Sequence, residues 1–297
     1  MNRAISLIAV VILLLNGCNR NKQASVPQPE FQSLFGIAEV DEELPGLLRA
    51  AFAKQISVFD NNILATKDTP DQKLQHAANV LAQYLDNDED GKPDNPLVVE
   101  AMLENKATLV MFATERDASR VFEELEDAGE EEVALFDSMI LQDLYGEETH
   151  SDGASRSVFD ASYEEVLHLV THAGYAHVYP DVFGEEPGTE LSNAMDKARG
   201  GQFLVIPKRY PDQAWYSYDD ETCDYGCQAT EYIYWGLTSL LGAQDFDGRA
   251  EEIADEWRLN TPEKFKAGDP TLYNLLTDKQ YGFPTRLPDG NYSPTEK

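Results

Sequence analysis

Between Ala229 and Leu241 the chain is strongly apolar at helical length, stops at Gly242, and carries one carboxylate, Glu231, inside the run. A helix that is apolar all round is buried, so the rest of the protein has to be packed around it. A carboxylate among Tyr232, Ile233, Tyr234, Trp235 and Leu237 is costly to bury unless it is paired or coordinates a metal ion. Whatever the fold, it must deliver a partner to Glu231.

The remaining pattern predicts helices more often than strands. Leu74, Ala77, Ala78, Leu81, Tyr84 and Leu85 follow the i, i+3, i+4, i+7 rule and predict an amphipathic helix over 71–85. Residues 117–128, 162–175 and 250–257 read as further helices, with Ser162 as N-cap and Glu164 and Glu165 in an acidic first turn. Short apolar runs at 107–113, 133–141 and 202–206 read as strands. Helices dominate and the order does not alternate regularly, which is an α+β pattern, mainly α. No internal repeat is evident.

Of the 297 residues 42% are hydrophobic, enough for a packed core, whereas 54 acidic against 23 basic residues leave a net charge of −31. That balance excludes a nucleic-acid binder and adsorption to anionic lipid through a basic face, both of which rely on Lys and Arg. Most of the acid reads as a solvated coat.

The N-terminus, Met1-Asn-Arg3 followed by an apolar run from Ala4 to Leu15, reads as a secretory signal too short to span a bilayer. Its end, Leu15-Asn16-Gly17-Cys18, resembles the bacterial lipobox, which implies that residues 1–17 are removed and Cys18 is lipidated. The protein would then be extracytoplasmic and held to a bacterial membrane by lipid alone; Asn19 in place of Asp would direct it to the outer membrane of a Gram-negative cell. Residues 18–38, polar and Pro-containing, read as a tether. Only Cys223 and Cys227 then remain, and outside the cytoplasm two thiols so close most simply form a disulfide, the alternative being a two-thiolate metal site.

After the 71–85 helix comes Asp86-Asn-Asp88-Glu-Asp90-Gly91-Lys92-Pro-Asp94. Ca²⁺ wants six to eight oxygen ligands, and a tight loop offers them at alternate residues. The segment resembles the EF-hand loop over 86–97, implying ligation by Asp86, Asp88, Asp90, the Lys92 carbonyl and Asp94, with Gly91 at the sharp turn. Leu97 stands where a closing Glu belongs, and Glu100 lies three residues beyond it.

The second constellation is Glu164-Glu165-Val-Leu-His168-Leu-Val-Thr-His172. Three of the five histidines, His168, His172 and His177, fall within ten residues. Donors at i, i+4 on a helix are the geometry that grips Zn²⁺ in His-Glu-x-x-His enzymes. Together with Tyr225-Gly226…Glu231 on a later helix, the pattern resembles the gluzincin metallopeptidases, especially the anthrax lethal factor-like branch, over residues 107–241. The resemblance implies a zincin-like domain, a Zn²⁺ ion, a peptide or protein substrate, His168, His172 and Glu231 as ligands, and Glu165 as general base. The motif itself is altered: in a Glu164-Glu165-x-x-His168 frame Glu164 replaces the first His, whereas in a His168-x-x-x-His172 frame Leu169 occupies the base position.

The expected organisation is a helical region over 39–105 carrying the Ca²⁺ loop and a zincin-like domain over 106–297, or one continuous domain over 39–297. The expected function is a lipid-anchored zinc-dependent hydrolase; the competing readings are a non-catalytic Ca²⁺-binding surface lipoprotein and a degenerate peptidase fold used for binding.

Overall fold

A computed structural model describes residues 34–295 except 127, 128, 130–133, 135 and 152–157. The signal, Cys18 and most of the tether therefore lie outside the described residues.

After a short helix, α1 (Gly46–Ala51), strands β1 (Lys54–Val58) and β2 (Asn61–Ala65) form an antiparallel hairpin that the sequence pattern did not reveal. Both residues of its two-residue turn, Phe59 and Asp60, take positive φ (47° and 66°). The hairpin twist demands that geometry, which a bulky residue adopts only at a cost. Phe59 offsets it by packing edge-on against Tyr292, with ring centroids 6.4 Å apart. Parallel strands need long crossovers, and these are helical. Helices α2 (Asp71–Leu85) and α3 (Pro96–Glu104) lead from β2 to the parallel β3 (Thr108–Phe112), and α4 (Glu115–Glu126) leads on to the parallel β4 (Leu141–Tyr145). The sheet order is β1-β2-β3-β4.

Strand β3 is buried at every residue, and its side chains alternate between two cores. Leu109 and Met111 join the larger cluster, which runs from Ile56 to Tyr292, while Val110 and Phe112 join a smaller one with Leu48 of α1 and Val121 of α4. The larger cluster contains residues from both sides of position 105.

The helix expected at 71–85 has those bounds in α2, yet it is not half-exposed: eleven of its fifteen residues are buried. Its polar residues His76, Asn79 and Gln83 are covered and bonded. His76 pairs with Asp160 at 2.6 Å, Asn79 donates to the Gly290 carbonyl at 2.8 Å, and Gln83 bonds the backbone NH groups of Asp289 and Gly290 at 2.9 Å. The C-terminal segment is thus strapped along α2.

The next helix, α5 (Ser162–Val170), passes directly into a π turn at Thr171–Tyr175. Ser162 is its first residue rather than its cap; the Asp160 carboxylate accepts the Ser162 N–H at 3.1 Å instead. Helix α6 (Glu190–Arg199) carries a capping box between Thr189 and Ser192. Helix α7 (Tyr225–Leu240) is the apolar one, with thirteen of sixteen residues buried. It is packed by α5, α6, α8 (Pro262–Gly268) and α9 (Pro270–Thr277). Gly236 lets Leu272 approach so closely that a Cβ there would overlap Leu272 Cδ2.

Three expectations are corrected. Residues 202–206 form no strand, because no neighbour supplies a ladder: Arg199 bonds the Phe203 carbonyl at 3.1 Å, and Leu204 and Val205 stay exposed. The strand expected at 133–141 begins only at Leu141; residues 134 and 136 are helical, and Phe136 and Met139 pack against the smaller core. The helix expected at 250–257 is a single turn, Arg249–Glu252, after which the chain turns and Trp257 bridges Tyr216. The architecture is α+β and mainly helical, with one small sheet.

Candidate metal centre

Glu164 and His168 are one helical turn apart on α5 and so share a face. The packing of α7 on α5 sets Glu231 opposite them, and one ligand atom from each of the three residues lies within 4.8 Å of the others. His168 is 6% exposed, yet its buried Nε2 has no hydrogen-bond partner; it faces Glu231 Oε2 at 3.6 Å. That distance is too long for a hydrogen bond. It matches the spacing of about 3.4 Å between two ligands each about 2.1 Å from one tetrahedral ion. The Tyr234 ring stands edge-on to His168 with centroids 5.7 Å apart, and Tyr218 donates to the other Glu231 oxygen at 3.1 Å.

Burial dominates the electrostatics. It pushes the Glu231 carboxyl up to about 8, with Glu164 and Glu165 adding to the rise and His168 opposing it. Burial likewise pushes Glu164 and Glu165 well above the usual carboxylate range and holds His168 below the ordinary imidazole value. Metal ligands bind deprotonated, so a divalent cation is the partner that would offset this accumulation of buried acid. The donor set, two carboxylates and one imidazole, suits Zn²⁺.

The structure sorts the residues singled out from sequence. Glu164, His168 and Glu231 converge. His172 stands outside that group: its side chain is 47% exposed, and its Nδ1 bonds both oxygens of Glu185 at 2.9 and 2.7 Å. The hydrogen bond to Glu185 pushes the His172 imidazole above its ordinary value. The π turn begins just before His172, so the α-helical i, i+4 alignment with His168 does not carry over. That turn is itself well anchored. Asn105 donates to the Ala173 carbonyl at 2.9 Å, and at Gly174 a Cβ would lie 2.6 Å from Val98 Cγ1. Glu185 also accepts the Thr230 hydroxyl at 3.1 Å beside Glu231. No pattern marked this residue in the sequence, because it lies in an ordinary Gly-Glu-Glu-Pro-Gly turn. His177 lines a separate cleft with Leu97, Glu100 and Glu104. Glu165 lies at the far edge of the His168 ring, its Oε2 at 3.4 Å from Nδ1 and accepting from Gln142 at 2.6 Å.

Cys223 and Cys227 form a disulfide with Cα atoms 5.3 Å apart. It closes over the N-cap of α7, where Asp224 accepts the Cys227 N–H at 2.9 Å, one turn before Glu231.

In the acidic loop, ligand atoms of Asp86, Asp88 and Asp94 lie within 4.8 Å of one another, and Gly91 takes the expected positive φ of 85°. Asp90 is not in that group, and its carboxylate accepts the Lys92 N–H at 3.1 Å. Leu97 is 54% exposed on α3 and Glu100 lines the His177 cleft, so neither turns back to the loop. The C-terminal segment covers it instead. The Tyr292 hydroxyl donates to buried Asp86 at 2.6 Å, and the Thr295 N–H donates to the Glu89 carbonyl at 2.9 Å.

Among the described residues no helix is long and apolar enough to cross a membrane. The chain matches no protein-family model, no curated protein and no solved structure.

Proposed function

We propose that this protein is an extracytoplasmic, lipid-anchored zinc-dependent hydrolase of peptidase type, with Glu164, His168 and Glu231 as metal ligands and a structural Ca²⁺ ion in the 86–94 loop. One observation carries the reading: the buried, partnerless Nε2 of His168 faces Glu231 at 3.6 Å, and ligand atoms of Glu164, His168 and Glu231 lie within 4.8 Å of one another. Zn²⁺ in such a place supplies Lewis acidity for attack of water on a carbonyl. Glu165 keeps the position of the gluzincin base in the sequence of the Glu164-Glu165-x-x-His168 frame, while its carboxyl group lies at the Nδ1 edge of His168, across the ring from Nε2. The lipobox-like Leu15-Asn16-Gly17-Cys18 supports the anchor, and the disulfide fits an oxidising compartment.

Elemental analysis of the purified protein beside His168→Ala tests the metal. The wild type should carry about one transition-metal ion per chain and the variant none; a metal-poor wild type prepared without chelators sinks the reading. Peptide hydrolysis that tracks the metal content tests the activity.

A second reading, a metal-binding surface lipoprotein without catalysis, rests on the place of Glu165, whose carboxyl group lies 3.4 Å from Nδ1 of His168 rather than at the Nε2 edge that faces Glu231. Stoichiometric metal without hydrolysis of any peptide tested would favour it.

A further inference from the structure

We infer that Glu165 is a positioning residue for His168, holding the imidazole in the tautomer that carries its proton on Nδ1 and leaves the Nε2 lone pair turned toward Glu231. The inference builds on the metal-centre reading but stands on its own geometry. A neutral imidazole has one donor and one acceptor nitrogen, and the partner of one nitrogen decides the role of the other. Here the two edges of the ring meet different surroundings. Nδ1 lies 3.4 Å from Glu165 Oε2, whereas Nε2 is buried, has no hydrogen-bond partner and faces Glu231 at 3.6 Å. Oε2 already accepts from Gln142 Nε2, so the carboxyl oxygen nearest Nδ1 is an acceptor whether or not Oε1 carries a proton, and an acceptor at Nδ1 selects the Nδ1–H form.

Glu165 is itself held. Gln142 Nε2 donates to the same Oε2 at 2.6 Å, and Gln142 belongs to β4, where it pairs in register with Leu109 of the fully buried β3. The order Gln142, Glu165, His168 thus runs from a rigid strand to the imidazole edge that a cation would use. Carboxylates that bond the non-ligating nitrogen of a metal-binding His orient the ring and raise its basicity. The base position of the His-Glu-x-x-His pattern is therefore put to another use in this chain. Its carboxylate sits across the ring from Nε2, and its effect on the centre passes through His168.

Long-range ¹H–¹⁵N correlation spectra of the metal-free, uniformly ¹⁵N-labelled mature chain read the tautomer directly. The His168 signals are assigned by their loss in His168→Ala, and the chain has only five histidines to separate. The wild type should show Nδ1–H. Glu165→Gln, whose side-chain carbonyl offers Nδ1 an acceptor in the same place, should keep that tautomer, and Glu165→Ala should shift the population toward Nε2–H. Co²⁺ titration of the same proteins should give a 10–100-fold weaker affinity for Glu165→Ala and a loss of no more than about threefold for Glu165→Gln. If Glu165→Ala does not fold, Glu165→Ser, too short to reach Nδ1, takes its place. A wild-type Nε2–H tautomer overturns the inference, as does Co²⁺ affinity equal in wild type and a folded Glu165→Ala. A wild type that binds no Co²⁺ sinks the metal reading alone, since the tautomer is read without metal.

Discussion

Tyr84 on α2 donates its hydroxyl hydrogen to the backbone carbonyl of Tyr163, one residue before Glu164, at 2.7 Å. Tyr84 lies two residues before Asp86, so one helix spans the acidic loop and the first turn of the metal-centre helix. The helix–loop segment and the candidate centre are therefore in direct contact, and perturbing either is expected to register in the stability of the other.

Stability of the metal-free protein should fall as pH rises from about 4.5 to about 8. Folded Glu231 keeps its proton up to about 8, whereas an unfolded Glu releases it near 4.5. Between those values the folded state binds more protons than the unfolded chain, so stability drops with rising pH and the loss is complete above the window. Glu164 and Glu165, raised by burial, act in the same sense. His168, lowered by burial, acts oppositely below its ordinary 6.5, where the unfolded chain gains a proton. Urea melts with chelator across this range check the slope. Glu231→Gln should flatten it, and saturating Zn²⁺ should reverse it; a flat wild-type profile would contradict the placement of Glu231.

Asp88→Ala should cost little without Ca²⁺, since Asp88 is exposed and, of its contacts, the bond to the Asp90 N–H at 3.2 Å is local. With Ca²⁺ present the same change should lower the melting temperature clearly, because an ion that binds only the native state stabilises it. Calorimetry with and without millimolar Ca²⁺ separates the cases. Equal losses in both would mean that the loop holds no ion.

Gly290→Ala should destabilise by about 2–3 kcal/mol. Gly290 has φ +73°, and an added Cβ would overlap the ring of His76, which its pairing with Asp160 holds in place. Loosening of 285–295 should follow, readable as faster amide exchange at Gly290, whose N–H bonds Gln83.

Replacing both Cys223 and Cys227 by Ala should cost about 2 kcal/mol from the freed unfolded-state loop. The Asp224 cap remains, so α7 should still form. Chemical denaturation of the double variant beside the oxidised wild type measures the difference.

Much was legible in the chain because it is local. The bounds of α2, the burial of α7, the disulfide spacing and the positive φ at Gly91 each follow from residues within a few positions of one another. The β1–β2 hairpin was not, because its turn is Phe59-Asp60 rather than a glycine-bearing pair and its stability comes from Tyr292 far along the chain. The run at 202–206 had strand composition without a strand, since a ladder needs a neighbour.

The same division holds at the candidate centre. That Glu231 must have a partner was determined by the sequence, because an apolar helix cannot bury a lone carboxylate cheaply. Which residues answer it was decided only by tertiary structure. Helical spacing offered Glu164, His168 and His172 alike, but the π turn and Glu185 take His172 away and leave Glu164 and His168 facing Glu231. The acidic loop behaves likewise: alternating Asp residues were plain in the chain, while the group covering Asp86 is Tyr292, 206 positions distant. Periodicity sets which face a residue occupies; the burial of each polar group is then met by whichever distant segment packs against that face.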